Sequence, residues 1–173
     1  MSGWINAINP LNTARTEADA RRAARASALA IFLGVLWGVW GVYYMMTDGR
    51  EIMDAAMAQS TAATPEMAGM AGAMTSIAMG MGIAMVVIQA IFGLVQWFKP
   101  NIVIPIIFTI LVVYGLANMG LSQFIGEEMR AQMNVPEVPQ WQTILSWVVL
   151  IVQLIMHIAG IRGAAALGKL RQS

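Results

Sequence analysis

Four apolar runs, each free of Asp, Glu, Lys and Arg, constrain this chain more than any other feature of it. They cover about 27–46, 74–98, 101–124 and 141–161. A helix that crosses the roughly 30 Å hydrocarbon core of a bilayer needs about 20 mainly apolar residues, which each run supplies. Hydrocarbon offers no partner to a backbone N–H or C=O, so runs of this kind are expected as helices. The alternating strands of an outer-membrane barrel have no counterpart in the sequence. The expected fold is therefore an all-α integral membrane protein, a four-transmembrane-helix bundle.

Composition excludes the main alternative, a water-facing globule. Apolar residues make up 58% of the chain and charged residues 11%, whereas soluble domains run near 45–50% and about 25%. There are no cysteines, which removes disulfides, thiolate metal sites and thiol nucleophiles together. The first run is longer than the apolar core of a cleaved signal peptide, usually about 7–15 residues. The faint cleavage pattern Ala56-Met57-Ala58 lies well beyond that core, so a retained first helix is expected.

Charge gives an orientation. Eight of the 10 Lys and Arg residues fall on one side of a four-crossing chain: Arg15, Arg21, Arg22, Arg25, Lys99, Arg162, Lys169 and Arg171. The two connections on the other side hold only Arg50 and Arg130, beside Asp48, Glu51, Asp54, Glu66, Glu127, Glu128 and Glu137. The positive-inside rule places both termini in the cytoplasm. The basic residues form no recurrent face with aromatics, so nucleic-acid binding has no support.

Helix-end signals fit the count. Thr16-Glu17-Ala18-Asp19 reads as a capping box for a helix that runs into the first span, and Thr64-Pro65-Glu66 as the start of the second. Lys99-Pro100-Asn101 breaks the chain, with Pro100 placed to open the third helix; Pro136 and Pro139 precede the fourth. Trp97 and Trp141 stand where interfacial aromatics belong. A second helix from Pro65 to Trp97 would measure roughly 48 Å, so its Ala- and Gly-rich first turns are expected outside the membrane.

The chain thus divides into a cytoplasmic interfacial segment at 1–26, a transmembrane domain at 27–162 and a basic tail at 163–173, with outer loops at 47–66 and 125–140. In the first segment Trp4, Ile5, Ile8 and Leu11 make a short interfacial helix that Asn9-Pro10 ends. The tail continues the fourth helix as a basic stub on anionic lipid.

Helices associate in lipid by close packing, so small residues spaced four apart mark contact faces. Ala26, Ala30, Gly34 and Gly38 form such a stripe in the first helix, and Gly72, Ser76, Gly80 and Ala84 in the second. The fourth shows Ala159 with Gly163, then Ala164 with Gly168. Close contact of the first two helices is expected, and a stripe left unused inside the bundle would favour assembly with another subunit.

Residues able to carry chemistry are few. His157 is the only histidine and an ionisable residue within a span. A haem or metal site would need further ligands from a symmetric copy; a polar packing role is the simpler reading. Of the 15 methionines, many cluster toward the outer side. Met67, Met70 and Met74 have helical spacing, and thioethers select Cu(I); gap-filling between helices is the ordinary role of such residues. Gln89, Gln96, Thr109, Asn118, Gln123, Ser146 and Gln153 are polar groups in or beside spans, expected to hydrogen-bond across helices.

The spans lack the acidic or basic residue that ion-coupled transporters carry. HExxH, Walker and GxGxxG motifs are missing. An interfacial lipid enzyme would have only Glu127, Glu128 and His157 to work with, and the expected topology puts the two carboxylates across the bilayer from the imidazole.

No catalytic residue, resident metal or cofactor is therefore expected. The sequence points to a non-catalytic accessory, scaffold or assembly subunit of a membrane complex, with the bilayer and other membrane subunits or copies of itself as partners. The alternative is a small channel or transporter, with Cu(I) as the soft-metal cargo that the outer methionines would suit. The small size, the four spans and the Ala, Met and Gly content point to a bacterial inner membrane.

Overall fold

A computed structural model describes residues 2–9, 11, 13–47, 49, 68–124 and 139–172, except for the side chains at 2, 68–72, 74, 75 and 123. Five helices follow in order: α1 Ser2–Ile8, α2 Glu17–Met46, α3 Ala68–Phe98, α4 Val103–Phe124 and α5 Gln140–Leu170. There is no strand among the described residues. Four of the helices, α2 to α5, are long and apolar enough to cross a membrane. The proposed start of the second span at Thr64-Pro65-Glu66, and Pro136 before the fourth, lie outside the described residues.

Local chemistry sets the helix ends. Thr16 caps α2, its Oγ1 accepting the Asp19 N–H at 3.2 Å. The second half of the motif departs from a capping box, because the Thr16 hydroxyl donates to the Asp19 carboxylate at 2.7 Å. Asn9 closes α1: its side-chain oxygen accepts the Leu11 N–H at 2.9 Å. Pro100 does not open α4. Asn101 does, accepting the Ile104 N–H on Oδ1 at 3.0 Å, because an Asn side chain can satisfy an orphan helix donor and Pro cannot. Pro139 is the N-cap of α5, its carbonyl accepting the Gln142 N–H at 2.9 Å. α5 passes the proposed span limit at 161 without a break and ends at Leu170.

The largest interface is antiparallel, between α2 and α5. α3 lies against α2, and α4 against α5. α3 and α4 share the turn between them and one edge-to-face contact, Phe92 on Phe108 at 6.0 Å, but no extended backbone contact. Burial is concentrated at the end where the basic residues gather. On α2 the buried positions run from Ala20 to Ile31, and on α5 from Val149 to Leu167. Ile31, Ile104 and Phe108 form the apolar centre of this half. The half away from the basic end is open: Leu36, Val39, Tyr43, Ile77 and Leu121 are all exposed.

Glycine explains how tightly the closed half packs. A Cβ on Gly163 would run into the backbone of Ala23 and Ala24, and one on Gly160 into Ser27. On the α2–α3 side, a Cβ on Gly38 would lie 2.7 Å from Val86, and one on Gly93 2.7 Å from Phe32. Absent side chains at these positions let backbones approach, the way helices bind one another in lipid.

Aromatic rings mark the two ends. At the basic end Trp4 of α1 stacks on Trp97 of α3, centroids 6.3 Å apart and planes 3° from parallel. Arg25 holds the same indole from another side, its guanidinium 5.1 Å from the ring and its Nε donating to the Trp97 carbonyl at 3.0 Å. At the far end Trp40 meets Trp141 edge-on at 6.1 Å and Tyr43 at 5.7 Å. From Trp141 to Arg162 the helix rises about 31 Å at 1.5 Å per residue, close to the roughly 30 Å of a hydrocarbon core.

Candidate functional site

Buried polar side chains are the natural place to look for chemistry in an apolar bundle, since each costs free energy unless it is paired. Four are buried among the described residues: Ser27, Gln96, Gln153 and His157. Each of them spans a junction between helices, and together they form a column along α2 in its closed half.

Gln96 holds the basic end. Its Nε2 donates to the carbonyls of Ala24 and Asn101, both at 3.2 Å, and its Oε1 accepts the Asn101 N–H at 3.2 Å. One amide thus fixes the α3–α4 turn and ties it to α2. A turn beyond, Ser27 Oγ and His157 Nδ1 are 2.7 Å apart and join α2 to α5. The imidazole stacks on Phe108 of α4, with centroids 5.8 Å apart. Its Nε2 is buried and has no hydrogen-bond partner among the described residues. Farther along, Gln153 Nε2 donates to the Ala30 carbonyl at 3.1 Å. Gly34 makes room there, since a Cβ on it would stand 2.6 Å from Gln153 Nε2 and 3.3 Å from Gln89 Oε1.

This column is a set of ties. Each polar group reaches a neighbouring helix. Two other in-span hydroxyls bond within their own helix. Thr109 returns its hydroxyl to the Pro105 carbonyl at 2.6 Å and Ser146 to Gln142 at 2.8 Å, a local bond open to any helical Ser or Thr. Asn118 is exposed on α4.

The structure places the other proposed residues as follows. Ala30, Gly34 and Gly38 lie against neighbouring helices. On α3 the packing runs along a different face. Gly82, Val86, Gln89 and Gly93 meet α2, while Ser76, Gly80 and Ala84 are exposed, and a Cβ on Gly80 would touch no described residue within 4 Å. Gly72, next in that stripe, has no described surroundings. On α5, Ala159 and Gly163 pack, whereas Gly168 is open. His157 is fully buried between α2, α4 and α5, so its imidazole does not reach a second copy of the chain in this arrangement.

Met67 lies outside the described residues, as do the side chains of Met70 and Met74, together with Glu127 and Glu128. Among the described residues no three His, Asp or Glu side chains converge. Sequence reasoning gave no role to the Trp4–Trp97–Arg25 stack, because contacts between residues so far apart leave no local signature.

No protein-family model, curated protein or solved structure matches this chain.

Proposed function

We propose that this is a four-span membrane protein with both termini in the cytoplasm, acting as a non-catalytic accessory or scaffold subunit. It associates with other membrane subunits or with copies of itself, and a bacterial inner membrane suits its size and composition. The observation that carries the reading is the exposed small-residue face of α3. Only 6% of the apolar window of α3 is buried within the chain, the least of the four spans. Glycine in a helix costs about 1 kcal/mol relative to alanine. At Gly34, Gly38, Gly93, Gly160 and Gly163 that cost is offset by close helix contact inside the chain. At Gly80 no described residue offsets it, and a helix from another subunit would.

The surrounding geometry supports the same reading. Gly80 and Ala84 stand in the open half of the bundle, as does Asn118 on α4. A side-chain amide facing lipid lacks the partner that a neighbouring helix supplies. In the closed half Ser27, Gln96 and Gln153 each make an internal tie.

The absence of cysteine makes a clean test. In Gly80→Cys, oxidation is expected to trap a disulfide dimer of the chain, or a mixed product with a cysteine-bearing partner subunit. Leu145→Cys, on the exposed face of α5, serves as the control. Equal, weak cross-linking at both positions in native membranes would remove the α3 face as the contact.

A further inference from the structure

The basic end carries two hollows of different character. One, of about 190 Å³, lies under α1 and is lined by Asn6, Thr13, Asp19 and Arg162, so a carboxylate faces the cation across it. The other, of about 420 Å³, is a groove between the start of α4 and the end of α5. Its lining includes Asn101, Ile102, Ala165, Gly168, Lys169 and Arg171, and no acidic residue. Lys99 is next in sequence to Pro100, which also lines it. Arg171 has one acidic neighbour, Glu17 at 3.5 Å, in an exposed pair of the kind that holds weakly.

The shape of the groove matches its charge. Gly168 faces open space, so the small residues of α5 leave a trough rather than a ridge. Ile102 and Val103 are exposed beside it, at 40% and 58%, giving an apolar flank where α4 begins. Cations above an apolar flank, at the end of two spans, suit a molecule with an anionic head and an apolar body. Basic pockets between spans on the cytoplasmic side are where anionic headgroups bind.

We propose that this groove binds the phosphodiester of an anionic phospholipid, with Lys169 and Arg171 on the phosphate and the acyl chains along Ile102 and Val103. The proposal rests on the membrane reading above. The first hollow is a poorer anion site because Asp19 lines it.

The test uses the full chain in nanodiscs that contain phosphatidylcholine with or without phosphatidylglycerol, and native mass spectrometry to count retained lipid. The wild type is expected to retain phosphatidylglycerol over phosphatidylcholine. K169Q/R171Q is expected to weaken that retention about tenfold or more, two surface cations being worth about 1 kcal/mol each. G168L obstructs the groove without removing a charge, and a Cβ there meets no described residue, so it is expected to fold and still lose the lipid. R15Q/R21Q removes two cations of the same end from outside the groove and is expected to keep it.

Equal loss in R15Q/R21Q and K169Q/R171Q, with retention intact in G168L, would mean diffuse surface attraction and would overturn the site. Inorganic phosphate alone, titrated in detergent, tests a soluble source. Protection against thermal unfolding that G168L abolishes, without any lipid preference, would support the phosphate site and reassign its ligand. Failure of the chain to enter nanodiscs at all would sink the membrane reading, whereas a helical, inserted chain with neither lipid preference nor protection by phosphate would sink this proposal alone.

Discussion

Ser27 and His157 show how a polar pair inside an apolar bundle resists simple accounting. Leaving one buried partner unpaired costs about 1–3 kcal/mol in proteins generally. In membrane proteins the measured coupling averages nearer 0.6 kcal/mol, because the unfolded chain finds other partners. Ser27 and His157 are both fully buried, which favours the lower end of the first range. Ser27→Ala should therefore cost about 1 kcal/mol of unfolding free energy, and adding His157→Phe should cost less than the two single changes summed. Reversible unfolding in mixed micelles measures both, and strict additivity would show that the 2.7 Å contact contributes nothing. Gly163 sets a harder limit. Its missing Cβ is what lets α5 touch the α2 backbone, so Gly163→Ala should part the two helices and destabilise by about 1–3 kcal/mol or more. Gly163 is legible in the sequence through its spacing from Ala159, and polar packing is the simpler reading of His157. Ser27 as its partner is not legible, because only the antiparallel register of α2 on α5 brings the two together.

Helices are the scale at which the sequence speaks most clearly. Length, apolar content and the lack of charge specify the four long helices, and Thr16 marks the start of α2 by the side chain that caps it. Which face of a helix turns inward is harder to read, because lipid-facing and interior positions are equally apolar in a membrane chain. On α2 the small-residue stripe is the packed face; on α3 the similar stripe points away, and Val86 and Gly93 form the contact instead. This difference separates two kinds of glycine by experiment. Gly38→Leu should disrupt the fold, since a Cβ there already comes within 2.7 Å of Val86. Gly80→Leu should leave helix content and thermal stability near wild type and weaken association instead. Circular dichroism with size measurement in mild detergent distinguishes them. Loss of the fold in Gly80→Leu would show that this face is internal.

Across the whole molecule, cohesion is uneven. Gln96, the Trp4–Trp97–Arg25 stack, the Ser27–His157 pair and the glycine contacts of α5 all lie toward the basic end. The opposite half keeps its apolar side chains outward and holds α2 to α5 through the contact of Trp40 with Trp141. Among the described residues the helices are thus packed most closely toward the basic end, and the exposed face of α3 in the other half is the one proposed above for lateral association. Charge asymmetry makes the orientation testable: reporter tags on the two termini should both read as cytoplasmic, and opposite readings would require an odd number of crossings. Native mass spectrometry of the protein extracted from its own membrane in mild detergent reads lateral association out directly. The chain is expected in company, with copies of itself or with other membrane subunits, and that company is expected to be lost in Gly80→Leu. A bare monomer for the wild type, stable across detergents and unaccompanied, would contradict it.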